Sequence, residues 1–203
     1  MSRRLIIGVT GASGAEYALR FLWRLSSLPG ESDLIFSPNF FKVLSAEAGI
    51  EANTATLETI FNLIQERYGA PEKKHHFSLC DYRDIGSRAA SGSARYDAMA
   101  VIPCSMKTAA AIAHGLSSNL IERAADVSLK EKRPLVLCPR ETPLSSIHLK
   151  NLLTLSEAGA TVMPLMPGYY HRPQQLSDLY DFMIDRVLTH LGFTERFIKP
   201  WQP

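Results

Sequence analysis

Arg123, Lys130, Arg140 and Glu141 fall within one stretch of the chain, ERAADVSLKEKRPLVLCPRETPLSSIH, spanning residues 122–148. The first two are seven residues apart, so on a helix they share a face. The other two follow the apolar run RPLVLCP, which reads as a central parallel strand covered on both sides. Open α/β sheets bind ligands outside the carboxyl ends of their strands. A cation and a carboxylate delivered there suit the neutralisation of a developing anion and the movement of a proton. The plainer reading is a solvated helix with an Asp126–Lys130 pair, and a Glu141 that only pairs with Lys130 or Arg140.

Those side chains need a frame, and the pattern supplies alternating strands and helices. Leu5 to Thr10 form a short apolar strand. It runs through Gly11-Ala12-Ser13-Gly14 into an amphipathic helix carrying Tyr17, Leu19, Phe21, Leu22 and Leu25. A glycine turn before a helix exposes backbone N–H groups that suit a phosphate. It matches neither the dinucleotide fingerprint nor a P-loop, since no Gly-Lys-Ser/Thr follows. Asp33 to Ser37 read as a second strand ended by Pro38, with helical segments around 40–48 and 56–68 and a short strand near 77–79. Asp97 to Pro103 read as another central strand. Cys104-Ser105-Met106-Lys107-Thr108 then open an alanine-rich helix, with Ser91-Gly92-Ser93 in the loop before that strand. A helix around 145–158, a last strand at 160–164 and a final amphipathic helix from Leu176 to Leu191 complete the pattern. Repeated strand–helix units imply an α/β fold with a parallel sheet and right-handed crossovers. Four polar segments (the first turn, Ser37, the Ser91–Ser93 loop and Ser105–Thr108) are expected to converge on one sheet edge. For Ser105 the competing role is a helix cap.

Length and composition add bounds. The 203 residues are most simply one domain, 1–203. The 22 basic and 20 acidic residues are dispersed, which argues against a nucleic-acid footprint. The apolar runs are too short for a membrane span or a signal segment. Cys80, Cys104 and Cys138 are scattered and odd in number, as expected of a reducing compartment, hence the cytoplasm. The six histidines lack zinc-site spacing. Cys104 reads as a small buried residue rather than a nucleophile.

In order along the chain, GASGA, SGS, PCSMKT, LIERAADVSLKEKRPLVLCPRETPLSSIHL, PGYYHRP and a carboxyl-terminal Trp resemble the UbiX-type flavin prenyltransferases. The resemblance covers nearly the whole chain. It implies a Rossmann-like three-layer flavoprotein fold and a homo-oligomer, generally a dodecamer of trimers, with its active sites at subunit interfaces. It implies transfer of a dimethylallyl group from dimethylallyl monophosphate to reduced FMN, giving prenylated FMN for a UbiD-type decarboxylase. By the same resemblance, Gly11, Ala12, Ser13, Ser37, Ser105, Met106, Lys107, Thr108 and Arg140 fall on FMN-binding positions. Ser13, Arg123, Lys130, Tyr170 and Arg186 fall on dimethylallyl-phosphate positions, and Glu47, Lys130, Glu141 and Trp201 on catalytic ones. The chain departs from the family pattern after Ser37, where Pro38-Asn39-Phe40 stand, and after Glu47, where Ala48-Gly49 stand.

The residue types suit that chemistry. Without an Asp-Asp-x-x-Asp motif to hold magnesium, the charge of a leaving phosphate falls to fixed donors, here Lys130, Arg140, Arg186, Tyr170 and Ser13. Trp201 and Tyr170 offer aromatic faces to an allylic cation. Two other functions fit the fold class: an FMN-dependent cysteine decarboxylase, and a flavin carrier without catalysis.

Overall fold

The computed structural model describes residues 2–49 and 56–198. Six strands form one sheet: β1 (Arg3–Val9), β2 (Gly30–Phe36), β3 (His75–Leu79), β4 (Ala98–Cys104), β5 (Leu135–Pro139) and β6 (Thr161–Val162). Their order is β3-β2-β1-β4-β5-β6 and every pairing is parallel. The chain winds outward from β1 to β3, then crosses back to β4 and winds the other way. The switch point therefore lies between β1 and β4, where doubly wound sheets open a ligand crevice at their carboxyl edge.

Apolar residues on alternate sides of the strands bury two helical layers. One layer is α1 (Ala15–Ser26), α2 (Pro38–Ala48), α3 (Leu57–Tyr68) and the final helix α7 (Leu176–His190), packed on Leu5, Ile7, Leu34 and Ile102. The other is α4 (Met106–Ala113), α5 (Leu120–Lys130) and α6 (Ser146–Glu157), packed on Ile6, Ile35, Val101 and Leu137. Among the described residues, no helix is long and apolar enough to cross a membrane.

Most boundaries follow the sequence pattern, with four differences. Pro38 opens α2 rather than only ending β2, because a first-turn proline has no N–H to lose and a preset φ. The second strand starts earlier, at Gly30, and the third at His75. The last strand contracts to Thr161–Val162, since it lies at the sheet edge and Pro164 cannot donate to a ladder. Apart from boundaries, the Asp126–Lys130 pair of the plainer reading gives way to Arg123–Asp126 at 2.8 Å and Lys130–Glu131 at 2.6 Å.

Candidate functional site

The carboxyl ends of β1, β2, β4 and β5 meet around the switch point. Thr10 ties two of them together. Its hydroxyl donates to the Pro103 carbonyl at 2.9 Å and accepts from the Ser105 N–H at 2.7 Å. Gly11 presses against the start of α2: a Cβ there would lie 2.6 Å from Asn39 Cβ and 2.9 Å from its backbone carbon. Only glycine lets the β1–α1 turn and the β2–α2 turn close up to this degree. The sequence marks Thr10 only as the end of a strand, and Asn39 only as part of the departure after Ser37. A polar residue ending an apolar strand was the one available signal.

Glu47 projects from the last turn of α2 onto the start of α1. Its carboxylate accepts from the Gly14 N–H at 2.9 and 3.0 Å and from the Ala15 N–H at 2.8 Å. The amides that the sequence offered to a phosphate thus hold a protein carboxylate, which the positive helix end favours. Burial works against its ionisation. The Ser13 hydroxyl, the two amides and the Arg140 charge outweigh burial and hold the carboxyl below its ordinary range. Arg140 arrives from the end of β5, and its Nε donates to the Ser13 carbonyl at 3.1 Å. Ser13, Glu47 and Arg140 thereby form one constellation drawn from the first turn, the end of α2 and the end of β5.

Ser37 lies at the end of β2, 7% exposed, and its Oγ is buried without a hydrogen-bond partner. A buried hydroxyl left unpaired costs about 1–3 kcal/mol, so this position calls for a polar ligand. Ser105 does cap α4, accepting from the Thr108 N–H at 3.3 Å and donating to the Thr108 hydroxyl at 3.0 Å. Met106 is buried, Thr108 half-buried and Lys107 exposed. Glu141 is exposed, and one of its oxygens accepts from the Thr142 N–H at 3.1 Å. It borders a small cleft with Arg140, Leu144 and Met166.

Lys130 stands elsewhere. It ends α5, just before β5 begins, and its ammonium lies 2.9 Å from where a Cβ on Gly92 would be. Arg133 holds the same Ser91-Gly92-Ser93 loop, donating to the carbonyls of Gly92 and of Ala94, the latter at 2.7 Å. The loop leads into β4, where Asp97 N–H donates to the Arg4 carbonyl at the start of β1. Ser91–Ser93 and Lys130 therefore occupy the amino edge of the sheet, and the expectation that this loop joins the other polar ends is corrected. With a rise of about 3.3 Å per residue, the five residues of β5 separate Lys130 from Arg140 by roughly 16 Å of strand.

The remaining candidates lie on the flanks. Arg123 is half-buried in the first turn of α5, paired with Asp126. Tyr170 sits in the turn before α7, its ring edge-on to Phe182 at 5.5 Å. Arg186 is exposed, one helical turn beyond Phe182. Nearby, Tyr17 and Tyr180 pack edge to face at 4.7 Å, and burial together with Tyr180 and Tyr169 pushes the Tyr17 phenol up to about 12. His171 stacks on Phe182 at 5.2 Å and 8°, with both ring nitrogens buried and unpartnered. His148 caps α6 in a reciprocal pair with Ser145. The Cys104 thiol is fully buried and burial pushes it up to about 12, which fits packing rather than nucleophilic chemistry. Trp201 lies outside the described residues.

Known proteins resemble the whole chain. A family model described as flavoprotein matches residues 1–188. A curated flavin prenyltransferase UbiX from a Synechocystis species is 41% identical over 214 residues, covering 100% of this chain and 97% of the relative. A solved dodecameric FMN-dependent UbiX-like decarboxylase from Escherichia coli O157:H7 superposes with a TM-score of 0.83 at 36% identity, over 98% of this chain and 100% of the other. AnUbiX (PadA1), solved with FMN and dimethylallyl pyrophosphate, gives 0.80 at 34% identity, with both chains covered completely.

Proposed function

Because the chain belongs to the UbiX-type flavin prenyltransferase family, we propose that it joins the dimethylallyl group of dimethylallyl monophosphate to reduced FMN, yielding prenylated FMN. The observation that carries this reading is the Ser13–Glu47–Arg140 constellation at the switch point, beside the unpaired Ser37 hydroxyl. An unsatisfied buried hydroxyl at the carboxyl edge fits a flavin lodged against it. Gly11, Ala12, Ser13, Ser37, Ser105 to Thr108 and Arg140 would hold it. Reduced FMN, when bound, supplies the electron-rich ring that is alkylated.

The side chains of the protein do the rest. Arg140, fixed through the Ser13 carbonyl, places a permanent positive charge beside the departing phosphate. Arg123, Lys130, Tyr170 and Arg186 bind the phosphate oxygens. Since Lys130 lies at the opposite sheet edge from Arg140, it serves the site of a second copy of the chain, as in an oligomer of the kind formed by the E. coli relative. Such a head-to-tail contact between unlike edges gives a ring where the rotation between copies closes. Trp201 and Tyr170 offer aromatic faces to the positive charge that develops on the allyl group. Glu141, with one oxygen engaged by Thr142, moves a proton through the other. Glu47 stays ionised and steadies the first turn.

The product serves a UbiD-type decarboxylase. The protein works in the cytoplasm, in keeping with three free cysteines. Mass spectrometry of FMN recovered after anaerobic incubation with reductant and dimethylallyl monophosphate tests the reading. A flavin heavier by one dimethylallyl unit is expected. Unmodified FMN would leave a carrier, and release of carbon dioxide from a cysteinyl substrate instead would make the protein a decarboxylase.

A further inference from the structure

The turn Tyr169-Tyr170-His171-Arg172 carries two costs that its packing does not explain. It closes with the Arg172 N–H donating to the Tyr169 carbonyl at 3.0 Å. Both nitrogens of His171 are buried, and neither has a hydrogen-bond partner. Desolvated, unpaired polar atoms are a penalty that a phenylalanine in the same stack would avoid. The next residue, Arg172, has φ of 55°, in the left-handed region that a residue with a Cβ enters only at an energetic cost. Such costs gather at active sites and ligand clamps.

The surroundings say which ligand. His171 lies flat on Phe182, while Tyr170 meets the edges of both rings, at 6.1 Å from His171 and 5.5 Å from Phe182. Gly168 brings the backbone against the same cluster: a Cβ there would lie 3.1 Å from both Phe182 and Tyr170. One turn further along α7 stands Arg186. An imidazole beside a phenol, with a guanidinium one helical turn past the ring it stacks on, offers an N–H suited to an anionic oxygen.

Resting on the function proposed above, we infer that His171 is a further binding residue for the allylic donor. Its N–H gains a phosphate oxygen as partner when the 169–172 turn re-forms around the donor, and the Phe182 stack sets the ring for that bond. The 169–172 turn thus acts as a clamp on the donor.

His171→Phe keeps the stack and removes both nitrogens. In FMN-loaded protein, calorimetric titration with dimethylallyl monophosphate should show affinity lower by about 10- to 100-fold, the loss of one hydrogen bond to a charged group. FMN affinity should not change. The donor-free melting temperature should rise by about 2–4 °C, because an unpaired buried group is gone. His171→Gln, which retains an N–H, should recover part of the donor affinity. Donor affinity equal to wild type in the Phe variant overturns the proposal. So does a Phe variant that melts lower or fails to fold, since the nitrogens would then be paired without donor. A fall in assembled mass by light scattering would give their partner to a neighbouring copy, and also overturns it. Wild-type protein that ignores the donor altogether refutes the functional reading itself, a result distinct from failure of the variant alone.

Discussion

The two edges of the sheet are built differently. At the carboxyl edge, Ser13, Glu47 and Arg140 come from the first turn, the end of α2 and the end of β5, and are linked through backbone bonds of 2.8–3.1 Å. At the amino edge, Lys130 is exposed and pairs only with its neighbour Glu131 among the described residues, beside a Ser-Gly-Ser loop pinned by Arg133. The first is a preorganised half-site whose members are mutually satisfied. The second is a presented surface, with its ammonium in solvent, where an ion pair adds little stability. On the function proposed above, the flavin half lies within one chain and the phosphate half takes its lysine from another. A site split this way makes catalysis depend on assembly, and it lets each half be perturbed without the other.

The largest effect should come from chemistry rather than binding. Glu141→Gln keeps size and hydrogen-bonding capacity but removes the carboxylate. Single-turnover prenylation under anaerobic conditions should slow by about 10²–10⁴-fold, with FMN affinity little changed. Wild-type turnover in this variant would reduce Glu141 to a surface acid.

A smaller effect is expected within the preorganised half. Glu47→Gln removes the charge that meets the positive end of α1 and weakens the bonds to Gly14 and Ala15. Stability measured by urea unfolding should fall by roughly 0.3–1 kcal/mol at neutral pH. Because the carboxyl of Glu47 is depressed in the folded chain, that difference is present above its unfolded value and shrinks as the solution is acidified through its folded one. A difference that did not respond to acid would detach the carboxylate from the helix end.

A third test treats the amino edge as a scaffold. His75 begins β3 with Nε2 2.8 Å from the Ser32 hydroxyl and Nδ1 3.1 Å from the Leu28 carbonyl. Burial pulls its imidazole down to about 4, against the raising pull of backbone bonds. Between the ordinary histidine value of about 6.5 and about 4, the unfolded chain binds the proton and the folded chain does not. Stability must therefore fall as pH drops through that window. His75→Asn should flatten this dependence in denaturation midpoints measured from pH 7 to pH 4. An unchanged slope would assign the dependence to other groups.

How much of this was legible in the sequence divides along the same edges. The carboxyl-edge strands could be read because LIIGVT, DLIFS and RPLVLCP are apolar runs that stop at polar residues, and parallel winding then gathers those stops. The side of the sheet that receives Ser91-Gly92-Ser93 could not be read. The segment after β3 crosses from the carboxyl to the amino edge with only a short 3-10 turn at Arg88–Ala90, and periodicity says nothing about where an irregular segment goes. Lys130 was singled out correctly as a cation on a helical face. Its distance from Arg140 follows from α5 running opposite to β5, which the pairing of strands reveals and residue types do not. Glu47 at the α1 terminus was equally hidden, since Pro38 carries α2 over the first turn through a contact between segments 33 residues apart.

The split site is tested most directly by complementation. Lys130→Met and Arg140→Met proteins, each inactive alone, are unfolded together, refolded as mixed assemblies and assayed for prenylated FMN by mass spectrometry. If Lys130 of one copy serves the Arg140 half-site of another, mixed assemblies contain some sites with both wild-type residues, and activity returns in part. If both residues serve the same site from the same chain, every site lacks one of them. The mixture then stays as inactive as its parents.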